Sequence, residues 1–197
     1  MDYREKIINY LKVSNGIITT QNCKEEGIPR IYLTRLMREK VITKIDRGVY
    51  SSSVSDYDSY YFFQLRYKKV VFSYETALYL HEQTDKIPQI MEVSVPYSYK
   101  INNVPNNVKV YYVKNEVAKL GICNVVTSFG NEVRVYNMER IVCDFIANKK
   151  DIDPEIYIKT IKSFAASKKN DVNKLYDYAQ KMKIVDKVGN TLELVYE

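Results

Sequence analysis

Three features of this 197-residue sequence predict an α+β fold in two parts. The first 50 residues carry helical periodicity and close on a short hairpin pattern. Beyond residue 60, β-type runs and amphipathic helical runs alternate irregularly. Between them lies a polar, turn-rich run, Ser51 to Ser59. The expected organisation is a DNA-binding unit over 1–52, a linker over 53–59 and a larger mixed domain over 60–197. A composition of 46% hydrophobic and 27% charged residues, with only 6 Gly and 5 Pro, excludes disordered and fibrous classes.

Ile7, Ile8 and Leu11 form one stripe, so the opening segment Asp2 to Leu11 reads as an amphipathic helix with Asp2 as its N-cap. Ser14-Asn15-Gly16 ends it, with Asn15 or Gly16 free to take a positive φ. Ile17-Ile18-Thr19 leads into a short second helix capped by Thr19 or Thr20 and closed at Glu25-Glu26-Gly27. Pro29 suits the first turn of a third helix, about 29–40. At about 100° per residue, Leu33, Leu36, Met37 and Val41 face a core shared with Ile7, Ile8 and Leu11. Ile31, Thr34, Arg35 and Arg38 face away from it.

Guanidinium groups pair bidentately with guanine edges or phosphates, and Thr and Ile can touch thymine methyls. This helix therefore has the make-up of a recognition helix in the major groove, and Arg30 in its first turn can reach the backbone. Residues 42–45 then read as a strand, Asp46-Arg47-Gly48 as a tight turn and Val49-Tyr50 as the return strand. A basic hairpin after a recognition helix is a wing, which would set Lys44 and Arg47 over phosphates. The whole is a winged helix-turn-helix. Charge supports this: residues 1–50 hold ten Lys and Arg against six Asp and Glu, so +4 of the net +6 lies in the first quarter.

In the larger domain, the periodicity predicts helices from Tyr60 to about Lys69 and from Tyr74 to about Glu82, the second capped by Ser73. Strands are expected at 90–95 and 108–113, and a hairpin at 122–127 and 132–136 around Phe129-Gly130-Asn131. Helices follow from Asn137 to about Asn148, from Asp153-Pro154 to about Ser167, and from Asp171 to about Lys183.

The chain offers little for catalysis. Its one histidine, His81, has no ligand partner at a useful spacing and reads as structural. No phosphate-binding glycine loop, nucleophile elbow or dinucleotide fingerprint is present. Glu75, Glu92, Glu116 and Asp144 are acids a nuclease could use, but no spacing joins them, and acids on solvated helices are the default. Glu139 and Asp144 do not share a helix face. No catalytic residue, metal or cofactor is assigned, and an enzyme is not expected. The 19 tyrosines, with no Trp, are expected to fill core and half-buried positions. Cys23, Cys123 and Cys143 form no CxxC pair. No leader pattern opens the chain, and no apolar run approaches the ~20 residues needed to span a bilayer. A cytoplasmic protein with reduced thiols and no membrane partner is expected.

The run Leu36-Met-Arg-Glu-Lys-Val-Ile-Thr-Lys-Ile-Asp-Arg-Gly-Val-Tyr50 resembles the N-terminal domain of AbiEi-type antitoxins of bacterial abortive-infection systems. Ser73-Tyr-Glu-Thr-Ala-Leu-Tyr-Leu-His81 and Met138-Glu-Arg-Ile-Val-Cys-Asp-Phe-Ile146 resemble later segments of that family, in the same order. The resemblance implies a phage-defence antitoxin that binds inverted repeats in its own promoter and represses it. It also implies that the larger domain counters a co-encoded nucleotidyltransferase-like toxin without a stable complex. The DNA role carries over to Arg30, Thr34, Arg35, Arg38, Lys44 and Arg47; no residue carries over for antitoxicity. With no dimerisation heptad, a monomer in solution with two copies on DNA is expected. The alternatives are a winged-helix regulator with a ligand- or partner-sensing domain, and a DNA-targeted nuclease.

Overall fold

The structure is a computed structural model that describes residues 2–14, 16–52 and 58–196. The expected linker lies largely in 53–57, and Asn15 too lies outside the described residues. The chain divides into two compact units, Met1–Arg66 with Val126–Glu132, and Tyr67–Val125 with Val133–Glu197.

The first unit begins with α1 (Tyr3–Val13), where the Asp2 side chain accepts from the Arg4 N–H at 2.9 Å. β1 (Ile17–Thr19) and α2 (Thr20–Glu25) follow. Thr19 and Asn22 cap α2 reciprocally: Asn22 N donates to Thr19 Oγ1, and Thr19 N to Asn22 Oδ1. Gly27, at φ 65°, turns the chain toward α3 (Ile31–Arg38). β2 (Thr43–Asp46) and β3 (Val49–Ser51) complete an antiparallel sheet of order β1-β3-β2. The run 17–19, expected only as a lead-in, is thus a strand. Three residues are too short for period-2 alternation to show.

The core of this unit joins Ile7, Leu11, Ile18, Cys23, Ile28, Leu33, Leu36 and Ile42. Ile8, expected in it, is only half-buried because 100° per residue carries it off the stripe of Ile7 and Leu11. Met37 and Val41 pack at its margin. A second small core sets Phe62 of α4 (Ser59–Arg66) against Ile17 and Val49. Asp58, placed in the linker by its polar neighbours, is fully buried. It accepts from Tyr61 N at 3.0 Å, Thr127 Oγ1 at 2.5 Å and Asn131 Nδ2 at 3.1 Å. Asp58 and α4 thus fall in the first unit, whose N-terminal segment runs to Arg66.

The second unit is built on a five-stranded sheet of order β6-β5-β4-β8-β7. Its strands are β4 (Val71–Phe72), β5 (Met91–Pro96), β6 (Val108–Val113), β7 (Ile122–Val126) and β8 (Glu132–Tyr136). β4 pairs antiparallel with β5 and parallel with β8, and β5 pairs parallel with β6. The helices are α5 (Tyr74–Leu80), α6 (Met138–Ala147), α7 (Pro154–Ala166), α8 (Val172–Met182) and α9 (Val185–Tyr196). Asn137, Asp153 and Asp171 cap α6, α7 and α8 through their side chains. Ser73 sits at the N-cap of α5 without a side-chain cap bond; its Oγ accepts instead from Ser94 Oγ at 2.9 Å.

α6 packs against α5, α7, α8 and α9 and is buried from Glu139 to Ile146. An expected apolar stripe becomes a helix enclosed all round. This corrects the reading of its acids as solvated. Asp144 is buried, and Arg140 Nε donates to its two carboxylate oxygens at 3.0 and 3.1 Å. Burial lifts the Asp144 carboxyl to about 6, against the opposing pull of Arg140.

His81 Nε2–H donates to the Tyr136 carbonyl at 2.9 Å, and burial lowers its pKa below the ordinary value of 6.5. A carbonyl only accepts, so the proton of the neutral ring is on Nε2. The unfolded chain then takes up a proton first as pH falls. His81's share of the stability is expected to be present above about 6.5 and lost as pH drops through that value toward the lower folded pKa. Denaturant unfolding on either side of about pH 6.5 checks this. A His81→Gln variant should lose this contribution to the pH slope.

Candidate nucleic-acid interface

Helical periodicity divides α3 into a buried and an open face. Leu33 and Leu36 are buried, while Arg35, Arg38 and Ile31 are exposed and Thr34 is half-buried. Arg30 is exposed at the N-cap, one residue outside the helix, because ordered α-turns begin only after Pro29. The Arg35 guanidinium lies 5.0 Å from the ring centre of Tyr32, which itself packs on Tyr3. This contact limits the rotamers of Arg35 without neutralising it.

The hairpin follows α3 after a short turn, residues 39–42. Its own turn is Arg47-Gly48, with Asp46 paired to Val49 across a bulge. Gly48 has φ 76°, and an added Cβ would stand 2.8 Å from Thr20 Oγ1, so glycine is required there. Lys44 and Arg47 are both exposed.

The acids near this surface are already engaged. Glu39 pairs with Arg4 at 3.3 Å, and Asp46 with Arg66 at 3.3 Å. Among the described residues, Arg30, Arg35, Arg38, Lys44 and Arg47 have no ion-pair partner. One continuous stretch of sequence, 30–47, therefore presents five uncompensated cations on an ordered scaffold. Lys40 adds a sixth in the turn after α3, exposed and at φ 58°. Periodicity alone carries the helix through residue 40, which hides this lysine among ordinary helical positions.

The nuclease candidates are scattered in role. Glu92 is buried, accepting from Tyr111 Oη at 2.6 Å and Glu75 N at 2.9 Å. Asp144 is held by Arg140, and Glu116 is exposed. Among the described residues no group of three His, Cys, Asp or Glu could hold a metal ion. Nor, among the described residues, is any helix long and apolar enough to cross a membrane.

The first unit is thus a helix-turn-helix with an attached hairpin and a cationic open face, the architecture of a class of transcriptional regulators. Residues 5–52 match the family described as transcriptional regulator, AbiEi antitoxin. The fold is also similar to that of the RV2827C protein from Mycobacterium tuberculosis. The TM-score is 0.58 at 11% identity, over 95% of this chain and 77% of that one, a likeness of fold alone. No curated protein sequence matches.

Lys44→Ala with Arg47→Ala is expected to weaken DNA binding about equally on any sequence. If each side chain neutralises one phosphate, the slope of log K against log salt should fall by about 1.8, at ~0.9 per contact. An anisotropy titration at several salt concentrations measures it.

Proposed function

We propose that the first unit is a winged helix-turn-helix that binds the promoter of its own operon. α3 enters the major groove, with Thr34, Arg35 and Arg38 toward base edges and Arg30 toward a phosphate. The β2–β3 hairpin is the wing, and its Lys44 and Arg47 rest on the adjacent backbone. The observation that carries this reading is the set of five exposed cations on α3, its N-cap and the hairpin that, among the described residues, have no ion-pair partner.

The match of residues 5–52 to a family of antitoxin regulators supports the wider reading. The chain is a cytoplasmic, non-enzymatic autorepressor and antitoxin of an abortive-infection operon acting in phage defence. It is a monomer in solution, and two copies occupy inverted repeats. The second unit counters a co-encoded nucleotidyltransferase-like toxin without a stable complex.

A reporter fused to the native promoter tests both halves together. The full chain should repress it and protect cells expressing the neighbouring gene. Arg35→Ala/Arg38→Ala/Lys44→Ala/Arg47→Ala should lose repression and keep protection. Repression retained by that variant would refute the interface; protection absent from the wild-type chain would refute the antitoxin role.

A further inference from the structure

The second unit contains a cleft of about 560 Å³ that promoter binding does not use. Pleating explains its aromatic wall. Tyr111 and Tyr112 are successive on β6, so they face opposite ways. Tyr111 turns inward, stacks on Tyr74 with ring centres 3.9 Å apart, and donates to Glu92. Tyr112 turns outward and is 44% exposed. Tyr97 follows β5 directly, held by its N–H donating to the Val113 carbonyl at 2.9 Å, and is 65% exposed. The two rings lie nearly parallel, 10° apart, with centres 6.3 Å apart. Two large rings stacked in parallel and left partly open to water offer an exposed aromatic face.

The same cleft is lined by Lys114, Lys181 and Lys183 with one exposed acid, Glu116. Among the described residues none of these lysines has an ion-pair partner. Arg140 and Asp144 line it as well, already locked to each other.

A second cleft, also of about 560 Å³, shares Ala147 and Asn148 with the first, so the two adjoin at the end of α6. Lys149, Lys150 and Lys187 line it, against Asp151. Tyr157 lines it too, at 6% exposure. Its hydroxyl is, among the described residues, the one buried side-chain oxygen or nitrogen without a hydrogen-bond partner. An unpaired buried hydroxyl is costly unless something accepts from it.

Aromatic faces beside unpaired cations are what a base and its phosphate require. We propose that this double cleft binds a nucleotide unit, free or within a single strand. The base stacks on Tyr97 and Tyr112, and phosphates lie against Lys114, Lys181 and Lys183. A further phosphate continues toward Lys149, Lys150 and Lys187.

The test uses the full chain carrying Arg35→Ala/Arg38→Ala/Lys44→Ala/Arg47→Ala, so that binding through the first unit does not mask the second. A labelled single-stranded oligoadenylate is titrated by anisotropy, with ATP as competitor. Saturable binding is expected. Tyr97→Ala/Tyr112→Ala should weaken it about 5- to 150-fold, and Lys181→Glu/Lys183→Glu should abolish it. All four side chains are exposed or at the surface, so unfolding curves should match the parent. Competition by ATP identifies a free nucleotide as sufficient; binding of the strand without such competition identifies the polymer. No binding of either probe would overturn the proposal. So would loss in the lysine variant with none in the tyrosine variant, which is charge attraction alone. Neither result would bear on promoter recognition by the first unit.

Discussion

Replacing Arg35 and Arg38 together by alanine is expected to weaken binding of the full chain to its promoter by about 30-fold to about 10⁴-fold. Each bidentate guanidinium–guanine contact discriminates by roughly 1–3 kcal/mol, so two are worth roughly 2–6 kcal/mol if they act independently. Binding to a scrambled duplex should fall much less, because only the phosphate share of the binding disappears there. The fold should hold. Both side chains are exposed, and α3 stays anchored through Leu33 and Leu36 in the core of the first unit. Within the protein the change removes the packing of Arg35 over the Tyr32 ring, worth about 0.5–1 kcal/mol at an exposed site. Anisotropy on promoter and scrambled duplexes, with an unfolding curve for each variant, separates recognition from stability.

Arg140→Ala is expected to destabilise the second unit by about 3–5 kcal/mol, since it leaves the Asp144 carboxylate buried and unpaired. The arginine does more than close an ion pair. Its Nη1 donates to the carbonyls of Val117 and Leu120, and its guanidinium lies 4.3 Å from the ring centre of Tyr136. Removing it strands two backbone acceptors as well as an acid. Asp144→Ala should cost a similar amount by leaving the cation. Arg140→Met/Asp144→Leu should cost clearly less than either single change, because it removes both charges at once. Urea denaturation measures all three. A single-variant loss under about 1 kcal/mol would contradict the account of α6 as a buried polar hub.

The first unit is legible in the sequence because its helix faces sort by local spacing alone. Leu33 and Leu36 against Arg35 and Arg38 needs only the 100° step. The capping residues Asp2, Thr19, Asp153 and Asp171 are readable for the same reason, since each acts within three residues. What escapes depends on partners far along the chain. Asp58 looks like linker until Thr127 and Asn131 come to it from 69 and 73 residues away. β4 is two residues long, and only its neighbours β5 and β8 make it a strand. α9 has Gly189 in its interior, and Ile184 before it carries no polar side chain to announce its start. Its apolar face is buried by α7 and α8, which no local pattern reveals.

The site shows the same division. Exposure of Arg30, Arg35, Arg38, Lys44 and Arg47 follows from periodicity and turn chemistry. Their electrostatic weight does not, because it depends on Glu39 being held by Arg4, 35 residues away, and Asp46 by Arg66, 20 residues away. Lys40 escapes because α3 ends two residues sooner than its composition suggests. In the second unit the buried acids of α6 and β5 look solvated in sequence, because an isolated helix or strand cannot show what encloses it.

The most direct test of the central claim is the salt dependence of promoter binding by the full chain beside Arg35→Ala/Arg38→Ala/Lys44→Ala/Arg47→Ala. The wild-type chain should bind the promoter more tightly than a scrambled duplex, with log K falling steeply and linearly in log salt. The variant should lose the preference for the promoter and show a slope shallower by about 0.9 for each phosphate contact removed. A folded variant that kept both the preference and the wild-type slope would contradict the assignment of α3 and the hairpin as the DNA-binding surface.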